Sequence, residues 1–381
     1  MPSTSQLPKT IPTLDFSLLS HDETKHQFLQ ELRDALFHHG FFYLSNVLPE
    51  AAFQDIKSES LKFFDIPLEE KLKVAMVHSK HFLGYNGLGD EITAKNVDWR
   101  EQVEFATELP EPIITDEEHL YKNLEGPNLW PSSRYLPSFR PTVSGYIDEL
   151  SELARTLSSA IEDAIGVPSG SLQKFFKEIQ QAKLKIIKYP DLSSRSADVA
   201  SVKREFDNSQ FKTELFQGVG EHRDNDFLTL IYQATPHNSL QVKDYNGDWI
   251  DVPPVENTLV FAVGMTLEYI TQGVCVSTVH RVLSPVPGQG DRLSVSFFQS
   301  IDIESKKENV EISDEAKKLV AERDASRIKN KIGFQFQVAE DKPVGYSVFL
   351  NRIKSHPKVG ERWYPKINKW VLEQVKESAN C

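Results

Sequence analysis

Two histidines and an aspartate in the second half of the chain have the residue types of a metal site. His222 and Asp224 are separated by one residue, so in a strand both side chains would point to one face, with Arg223 turned away. His280, in the segment 276–280, could supply a third ligand from a distant strand. Two histidines and one carboxylate suit non-haem Fe(II) and leave three coordination positions open. Asp226 is a second carboxylate on the same face, and spacing alone does not decide between it and Asp224.

A second group of residues indicates a carboxylate-binding site. Arg292, Ser294 and Phe298 share one face of the strand pattern at 292–299. An arginine on the inward face of a strand needs an anion, because an unpaired buried charge is very costly. The planar guanidinium matches a carboxylate through two hydrogen bonds. An edge-strand salt bridge would explain Arg292 alone, but its place after the two histidines and the aspartate favours a site for a metal and an anionic ligand.

The hydrophobic periodicity predicts the elements that must position these side chains. Helical spacing predicts one helix ending at Gly40, a second starting at Pro49 and a long third one over 146–161 that stops at Gly166. From about residue 184 the period changes to two, and the predicted strands are 227–233, 239–243, 249–250, 258–263, 276–280 and 292–299. Helical spacing returns near the C-terminus, with Trp363, Ile367, Trp370, Val371 and Val375. Many short strands flanked by helices predict a β-sandwich or barrel core.

The same pattern predicts how the chain is organised. Residues 1–10 are expected to be a disordered tail, and 11–183 an N-terminal region of helices and strands that packs on the core. The core itself is predicted over 184–300, with a polar, mobile loop or lid at 191–217. Residues 301–381 complete the chain as a C-terminal helical region. No linker separates these parts, so we expect one integrated domain.

Composition excludes several functional classes. The 381 residues carry a formal net charge of −12, which argues against a nucleic-acid partner. The two cysteines, Cys275 and Cys381, do not make a disulfide framework, and they indicate a reducing compartment. No apolar run approaches the roughly 18 residues of a membrane span. We therefore expect a cytoplasmic protein with a small-molecule substrate and without a nucleic-acid or membrane partner; the sequence does not reveal its oligomeric state.

Residues 220–300 resemble the catalytic core of the Fe(II)/2-oxoglutarate-dependent dioxygenases related to isopenicillin N synthase. The matching motifs are His222-x-Asp224, Phe227-Leu-Thr-Leu230, Leu240-Gln-Val242, Trp249-Ile-Asp-Val-Pro253, Ser277-Thr-Val-His-Arg281 and Arg292-x-Ser294, with Ile11-Pro-Thr-Leu-Asp-Phe16, Gly40-Phe-Phe-Tyr-Leu44 and Gly126-Pro-Asn-Leu-Trp-Pro131 in the N-terminal part. The resemblance implies an α+β fold with a mainly β core, a double-stranded β-helix or jelly roll, flanked by N-terminal and C-terminal helices. It also implies that His222, Asp224 and His280 are the iron ligands, and that Arg292 and Ser294 hold the distal carboxylate of 2-oxoglutarate.

The family resemblance further implies an activity. With Fe(II), O₂ and 2-oxoglutarate as cosubstrate, such an enzyme decarboxylates 2-oxoglutarate to succinate and CO₂ while it oxidises a small molecule. A hydroxylase or desaturase of a specialised metabolite, and an iron oxidase of the same fold that does not use 2-oxoglutarate, are alternatives. A zinc hydrolase or a non-catalytic receptor would also fit some of these residues, but Arg292-x-Ser294 has no obvious role in the hydrolase and an intact ligand set argues against the receptor.

A narrower resemblance concerns the substrate. Residues 82–94 are similar to the corresponding stretch of the ethylene-forming enzymes of this family. It implies that Glu91 and Thr93, with Arg352, contact bound L-arginine, and that Lys185 and Phe298 lie near 2-oxoglutarate. Asn225 departs from that group, which has a tyrosine there. The expected reactions are L-arginine hydroxylation and ethylene formation from 2-oxoglutarate.

Overall fold

A computed structural model describes residues 10–93, 96–195, 198–201, 203, 217–325 and 342–379. Its helices are α1 (Asp22–His38), α2 (Glu50–Asp65), α3 (Leu68–Lys73), α4 (Phe139–Ile165), α5 (Met265–Ile270), α6 (Asp314–Ala325), α7 (Val344–Ser355), α8 (Pro357–Trp363) and α9 (Pro365–Ala379). Its strands are β1 (Thr13–Asp15), β2 (Phe41–Ser45), β3 (Gly84–Asn86), β4 (Ile92–Thr93), β5 (Asn96–Val97), β6 (Glu101–Ala106), β7 (Ala182–Tyr189), β8 (Gln217–His222), β9 (Leu228–Gln233), β10 (Leu240–Lys243), β11 (Trp249–Asp251), β12 (Leu259–Val263), β13 (His280–Leu283) and β14 (Arg292–Gln299).

Two sheets form the core of the molecule. An eight-stranded sheet has the order β1-β2-β12-β9-β14-β7-β6-β3, and a four-stranded sheet has the order β11-β10-β13-β8. Side chains from both sheets meet in one buried apolar cluster, which includes Phe41, Ile187, Val219, Leu240, Val260 and Val282. The two facing sheets make the expected jelly roll, because each sheet buries its inner face against the other. Four strands of the larger sheet, β1, β2, β3 and β6, come from residues before 184.

Helices cover the outer face of the larger sheet. The apolar side of α4 is buried in the main core together with residues of α1, α2, β9 and β14. This helix contains the predicted 146–161 segment, and it ends where expected, because Gly166 adopts the left-handed conformation with φ of 73°. The C-terminal helices α7, α8 and α9 pack around Phe82, Tyr121 and Phe349 beside the mouth of the jelly roll. Among the described residues, no helix combines the length and apolar character of a membrane span.

One predicted strand is wrong in its position. The alternation at 276–280 predicts a strand, but β13 begins only at His280. Two of the preceding residues are hydrogen-bonded to the end of α1: Val276 N–H donates to the Leu36 carbonyl and the Thr278 hydroxyl to the His39 carbonyl. Residues 1–9 of the predicted disordered tail, and residues 196–197, 202 and 204–216 of the predicted loop, lie outside the described residues.

Gly40 allows the close approach that holds this segment in place. Its φ is 63°, and a Cβ at this position would lie 1.7 Å from the Val276 carbonyl oxygen. We expect Gly40→Ala to lower the free energy of unfolding by about 2–5 kcal/mol, because backbone strain adds to a clash that only main-chain movement can relieve. Urea denaturation measures this loss. Gly288, with φ of 87° and open space around it, is the matched control, and Gly288→Ala should lose only about 1–2 kcal/mol. Equal losses for both variants would contradict the clash.

Candidate active site

A cavity of about 1150 Å³ opens at one end of the jelly roll. All the residues that the sequence predicts for the site line this cavity: Glu91, Thr93, Lys185, His222, Asp224, His280, Arg292, Ser294, Phe298 and Arg352. They come from β4, β7, β8, β13, β14, α7 and the connections between them. The fold therefore gathers residues that are as much as 261 positions apart along the chain into one space.

His222, Asp224 and His280 converge at the inner wall of the cavity. His222 and His280 lie opposite each other on the antiparallel pair β8 and β13, with ring centroids 4.2 Å apart. Asp224 Oδ1 is 3.6 Å from His222 Nε2 and 3.7 Å from His280 Nε2. The sequence suggested that strand alternation brings His222 and Asp224 to one face. The structure differs, because β8 ends at His222 and Asp224 lies beyond it. The cross-strand pair and the turn after β8 produce the convergence.

Hydrogen bonds around the three side chains direct their ligand atoms to a common point. The Nδ1 atoms of His222 and His280 each donate to a backbone carbonyl, at 2.8 and 3.2 Å, which leaves both Nε2 atoms free to accept a metal. Thr229 donates to Asp224 Oδ2 at 2.6 Å and so turns Oδ1 toward the histidines. Burial, and then the neighbouring His280, lower the pKa of His222 to about 4, so this ring is neutral, as a ligand must be. The donor set fits Fe(II).

The structure favours Asp224 over Asp226 as the carboxylate ligand. The Ser300 hydroxyl donates to the Asp226 carboxylate, and burial raises the pKa of Asp226. By contrast, one ligand atom from each of His222, Asp224 and His280 lies within 4.8 Å of the other two. Ser300 and Thr229, which the sequence reasoning did not identify, hold the two carboxylates in these different positions.

Arg292 is a buried cation with unused hydrogen-bond donors. Its side chain is 1% exposed, its Nη2 donates to Gln233 Oε1 at 3.1 Å, and its guanidinium lies 4.9 Å from the centre of the Tyr189 ring. Nε and Nη1 have no hydrogen-bond partner among the described residues. Ser294 lies two residues along the same face of β14, and its hydroxyl reaches the Tyr232 carbonyl only at 3.4 Å. Two free guanidinium donors beside a hydroxyl fit the distal carboxylate of 2-oxoglutarate.

Lys185 and Phe298 lie on neighbouring strands farther along the same wall. The Lys185 ammonium is 5.8 Å from the centre of the Phe298 ring. It also forms an ion pair with Glu104 at 3.0 Å. The charge of Lys185 is therefore already balanced within the chain, which a resemblance in sequence does not reveal.

Glu91 has partners that the sequence did not indicate. Arg100 donates to this buried carboxylate directly, so Glu91 has a cationic partner within the chain. Gln102 also donates to Glu91 Oε1 at 2.9 Å, and His356 Nε2 lies 3.4 Å from the same oxygen. Burial raises the pKa of Glu91, but Arg100 and other nearby cations outweigh it and lower this pKa to about 2. Glu91 is thus an ionised member of a charge network.

Arg352 and Thr93 also have partners within the chain. Arg352 donates to Glu104 at 2.6 Å and to the Phe82 carbonyl at 2.7 Å. The Thr93 hydroxyl donates to Asp98 at 2.7 Å. Both side chains line the cavity, and of their donors only Arg352 Nε has no hydrogen-bond partner among the described residues.

Glu91, Glu104 and His356 form a second cluster of potential ligand atoms within 4.8 Å of one another. Three cations of the chain surround these side chains: Arg100, Lys185 and Arg352. These cations balance the two carboxylates and would repel a divalent metal, so we assign no second metal centre to the Glu91–Glu104–His356 cluster.

Comparison with known proteins decides the family. Residues 11–133 match the model of the N-terminal region of the non-haem dioxygenase in morphine synthesis, and residues 202–301 match the 2OG-Fe(II) oxygenase superfamily. The chain belongs to the Fe(II)/2-oxoglutarate-dependent oxygenases. This oxygenase is 39% identical to the 2-oxoglutarate-dependent dioxygenase frbJ of Dothideomycetidae sp. (strain 11243), over 96% of this chain and 95% of that protein. It is 30% identical to homoarginine-6-hydroxylase 2-ODD-C23 of Glycine max, over 78% of this chain and 87% of that protein.

A solved structure has the same fold as this oxygenase. A full-length Neurospora crassa protein, crystallised in complex with alpha-KG, superimposes with a TM-score of 0.66 at 23% identity, over 90% of this chain and 95% of that one. The oxygenase is an enzyme that uses Fe(II), 2-oxoglutarate and O₂, and it couples decarboxylation of 2-oxoglutarate to succinate and CO₂ with oxidation of its substrate. The ligand atoms of His222, Asp224 and His280 fit Fe(II), and the unused hydrogen-bond donors of Arg292 fit 2-oxoglutarate.

Proposed function

We propose that this oxygenase oxidises a small amino acid with a cationic side chain, such as L-arginine. The Glu91–Glu104–His356 cluster carries the proposal, because it holds two ionised carboxylates at the wall of the cavity that contains the metal ligands. A planar guanidinium is the cation that carboxylates bind best, through paired hydrogen bonds. Arg352 already binds Glu104 through two such hydrogen bonds and Arg100 donates one to Glu91, which supports carboxylates suited to a guanidinium.

A substrate cation at Glu91 has to replace Arg100, and the chain offers Arg100 another partner. The buried carboxylate of Asp98 lies 3.3 Å from Arg100 Nη2. Arg100 therefore keeps an ion pair if it leaves Glu91, and no buried charge is stranded. The relative from Glycine max is named for homoarginine, an amino acid with a guanidinium side chain, and this name also favours the proposal.

The other residues of the cavity take the following roles in this proposal. His222, Asp224 and His280 hold the iron, and Arg292 with Ser294 binds the distal carboxylate of 2-oxoglutarate. Lys185 and Phe298 form the cavity wall beside the cosubstrate, and Thr93 and Arg352 lie beside the substrate cation. Bound iron would supply O₂-dependent oxidation, in which 2-oxoglutarate and the substrate each give one electron pair to O₂. The buried walls exclude water from the reacting groups.

The negative net charge and the cysteines support a cytoplasmic location without a nucleic-acid partner. The formal net charge is −12. Burial raises the pKa of the free Cys275 thiol to about 12, so this thiol is inert and suits a reducing compartment. The substrate of the proposal is a small molecule, in line with a cavity of about 1150 Å³.

L-arginine should perturb the visible absorption of the anaerobic Fe(II)–2-oxoglutarate enzyme and, once O₂ is admitted, raise succinate formation at least about tenfold. L-citrulline has the same shape without the charge, and it should do neither. We expect Glu91→Gln to lose the arginine-dependent succinate, since the guanidinium then lacks its carboxylate. Glu117→Gln, which removes a carboxylate from an exposed ion pair with Lys366, is the matched control.

The products show which reaction follows binding. Hydroxyarginine formed with succinate indicates substrate oxidation, and ethylene in the headspace indicates fragmentation of 2-oxoglutarate. No absorption change, no arginine-dependent succinate and no ethylene would refute the cationic amino acid as substrate, while the oxygenase family would stand.

A further inference from the structure

Lys183 is a cation at the cavity wall with no partner of its own. Its neighbours on β7 are paired: Lys185 with Glu104 at 3.0 Å, and Lys188 with Glu101 at 2.6 Å. Lys183 forms no hydrogen bond or ion pair with any residue that the structure describes. An ammonium has three donors, and a half-buried one without an acceptor is unfavourable. Lys183 is thus prepared for an anion that enters the cavity.

The surroundings of Lys183 leave its charge available. Burial lowers the pKa of Lys183 to about 8, so the ammonium is still mostly protonated at neutral pH. Asp226 and Glu104 attract this ammonium and Arg352 repels it. However, Asp226 accepts from Ser300, and Glu104 is engaged by Lys185 and Arg352. Neither carboxylate makes an ion pair with Lys183.

The position of Lys183 brings it close to the metal ligands. Thr229, Phe298 and Lys183 are directly opposite one another on the adjacent strands β9, β14 and β7, so their side chains share one face of the sheet. Thr229 is the residue that donates to Asp224. Two strand spacings separate the backbones of Thr229 and Lys183, about 10 Å. A small molecule that lies beside the metal and over Phe298 is therefore within reach of Lys183.

The anion at Lys183 is not the distal carboxylate of 2-oxoglutarate. Arg292, which binds that group, is six residues from Phe298 along β14, or about 20 Å at roughly 3.4 Å per residue. The carbon chain of 2-oxoglutarate has four C–C bonds of about 1.5 Å each. It cannot span the distance between Arg292 and the row that contains Lys183.

We propose that Lys183 binds the carboxylate of the amino-acid substrate, at the end of the molecule opposite to its cationic side chain. The proposal rests on the proposed function and adds the group that recognises the second charge. With this contact the enzyme discriminates between a substrate amino acid and the corresponding amine, because binding of the amine leaves the Lys183 ammonium unpaired.

Three probes test the carboxylate and the side-chain charge of the substrate separately. L-arginine carries both groups, agmatine lacks the carboxylate, and L-citrulline lacks the side-chain charge. Binding to the anaerobic Fe(II)–2-oxoglutarate enzyme is followed by calorimetry and visible absorption. Wild-type enzyme should bind L-arginine at least about tenfold more tightly than agmatine, and Lys183→Met should abolish this preference. Lys183→Arg, which keeps a cation, should retain most of it. The affinity of Lys183→Met for 2-oxoglutarate should be unchanged, which also shows that this variant is folded.

Each of the other outcomes refutes the role of Lys183, the cationic substrate, or both. Equal affinity of wild-type enzyme for L-arginine and agmatine overturns the role of Lys183 but leaves the cationic substrate intact. Equal affinity for L-arginine and L-citrulline, with both dependent on Lys183, overturns the cationic substrate and supports Lys183. Loss of 2-oxoglutarate binding in Lys183→Met, with the preference for L-arginine kept, would make Lys183 a cosubstrate residue. No binding of any of the three probes overturns both proposals.

Discussion

His222→Ala is expected to abolish turnover and to weaken Fe(II) binding by more than roughly 100-fold. The removal of a direct ligand should exceed the 10–100-fold loss that is typical when an outer hydrogen-bond partner is removed. Loss of the imidazole also opens the coordination site to water, and it removes one of two histidine rings whose centroids are 4.2 Å apart. Iron titration under anaerobic conditions, with succinate measured after O₂ is admitted, gives both quantities.

Two aspartates and one threonine supply graded controls for this result. Asp224→Ala should behave like His222→Ala, whereas Asp226→Ala should retain iron, because Ser300 holds Asp226 away from the histidines. Thr229→Val should give the intermediate, 10–100-fold loss, since it removes the hydrogen bond that orients Asp224. Full iron content in His222→Ala, or loss of iron in Asp226→Ala alone, would overturn the assignment of ligands.

The second large effect is expected at Arg292. Arg292→Gln should raise the KM for 2-oxoglutarate at least tenfold while iron remains bound. The removal of one partner of a buried charge pair costs on the order of 2–5 kcal/mol, and about 1.4 kcal/mol corresponds to a factor of ten. Glutamine keeps a polar side chain but loses the charge and the fork of donors, of which Nε and Nη1 are now unused.

Arg281→Gln is the matched control. Arg281 lies on β13 next to the ligand His280, but it packs on Trp249 and donates to Gln241 and does not line the cavity. This variant should keep the KM for 2-oxoglutarate of the wild-type enzyme. An unchanged KM in Arg292→Gln, or equal increases in both variants, would remove Arg292 from the cosubstrate site.

Local patterns in the sequence were enough to predict the class of fold and the metal site. The change of hydrophobic period near residue 184 predicted a β core, and the structure has the two facing sheets of a jelly roll. Motif spacing predicted His222 and His280 with either Asp224 or Asp226, the family resemblance favoured Asp224, and the structure brings His222, Asp224 and His280 together. Alternation along β14 predicted the inward direction of Arg292, because side-chain direction in a strand depends only on position parity.

Other features were inaccessible because they depend on partners that are distant in the chain. The preference for Asp224 over Asp226 depends on Ser300, 74 positions away. The segment before His280 is bound to the end of α1, so its apolar alternation did not become a strand. Local propensity carries no information on such contacts, since tertiary packing selects them.

The sequence by itself determined a β core flanked by helices and the inward-facing arginine, because hydrophobic period and strand alternation are local, and its motifs carried the resemblance to the family. The tertiary structure alone decided which charges meet. It placed Arg100 on Glu91 and both Lys185 and Arg352 on Glu104, and among the residues that the structure describes it left Lys183 without a partner. Ion pairs form between side chains that the fold brings within a few ångströms, and that distance is a property of the packed sheets and helices and not of position along the chain.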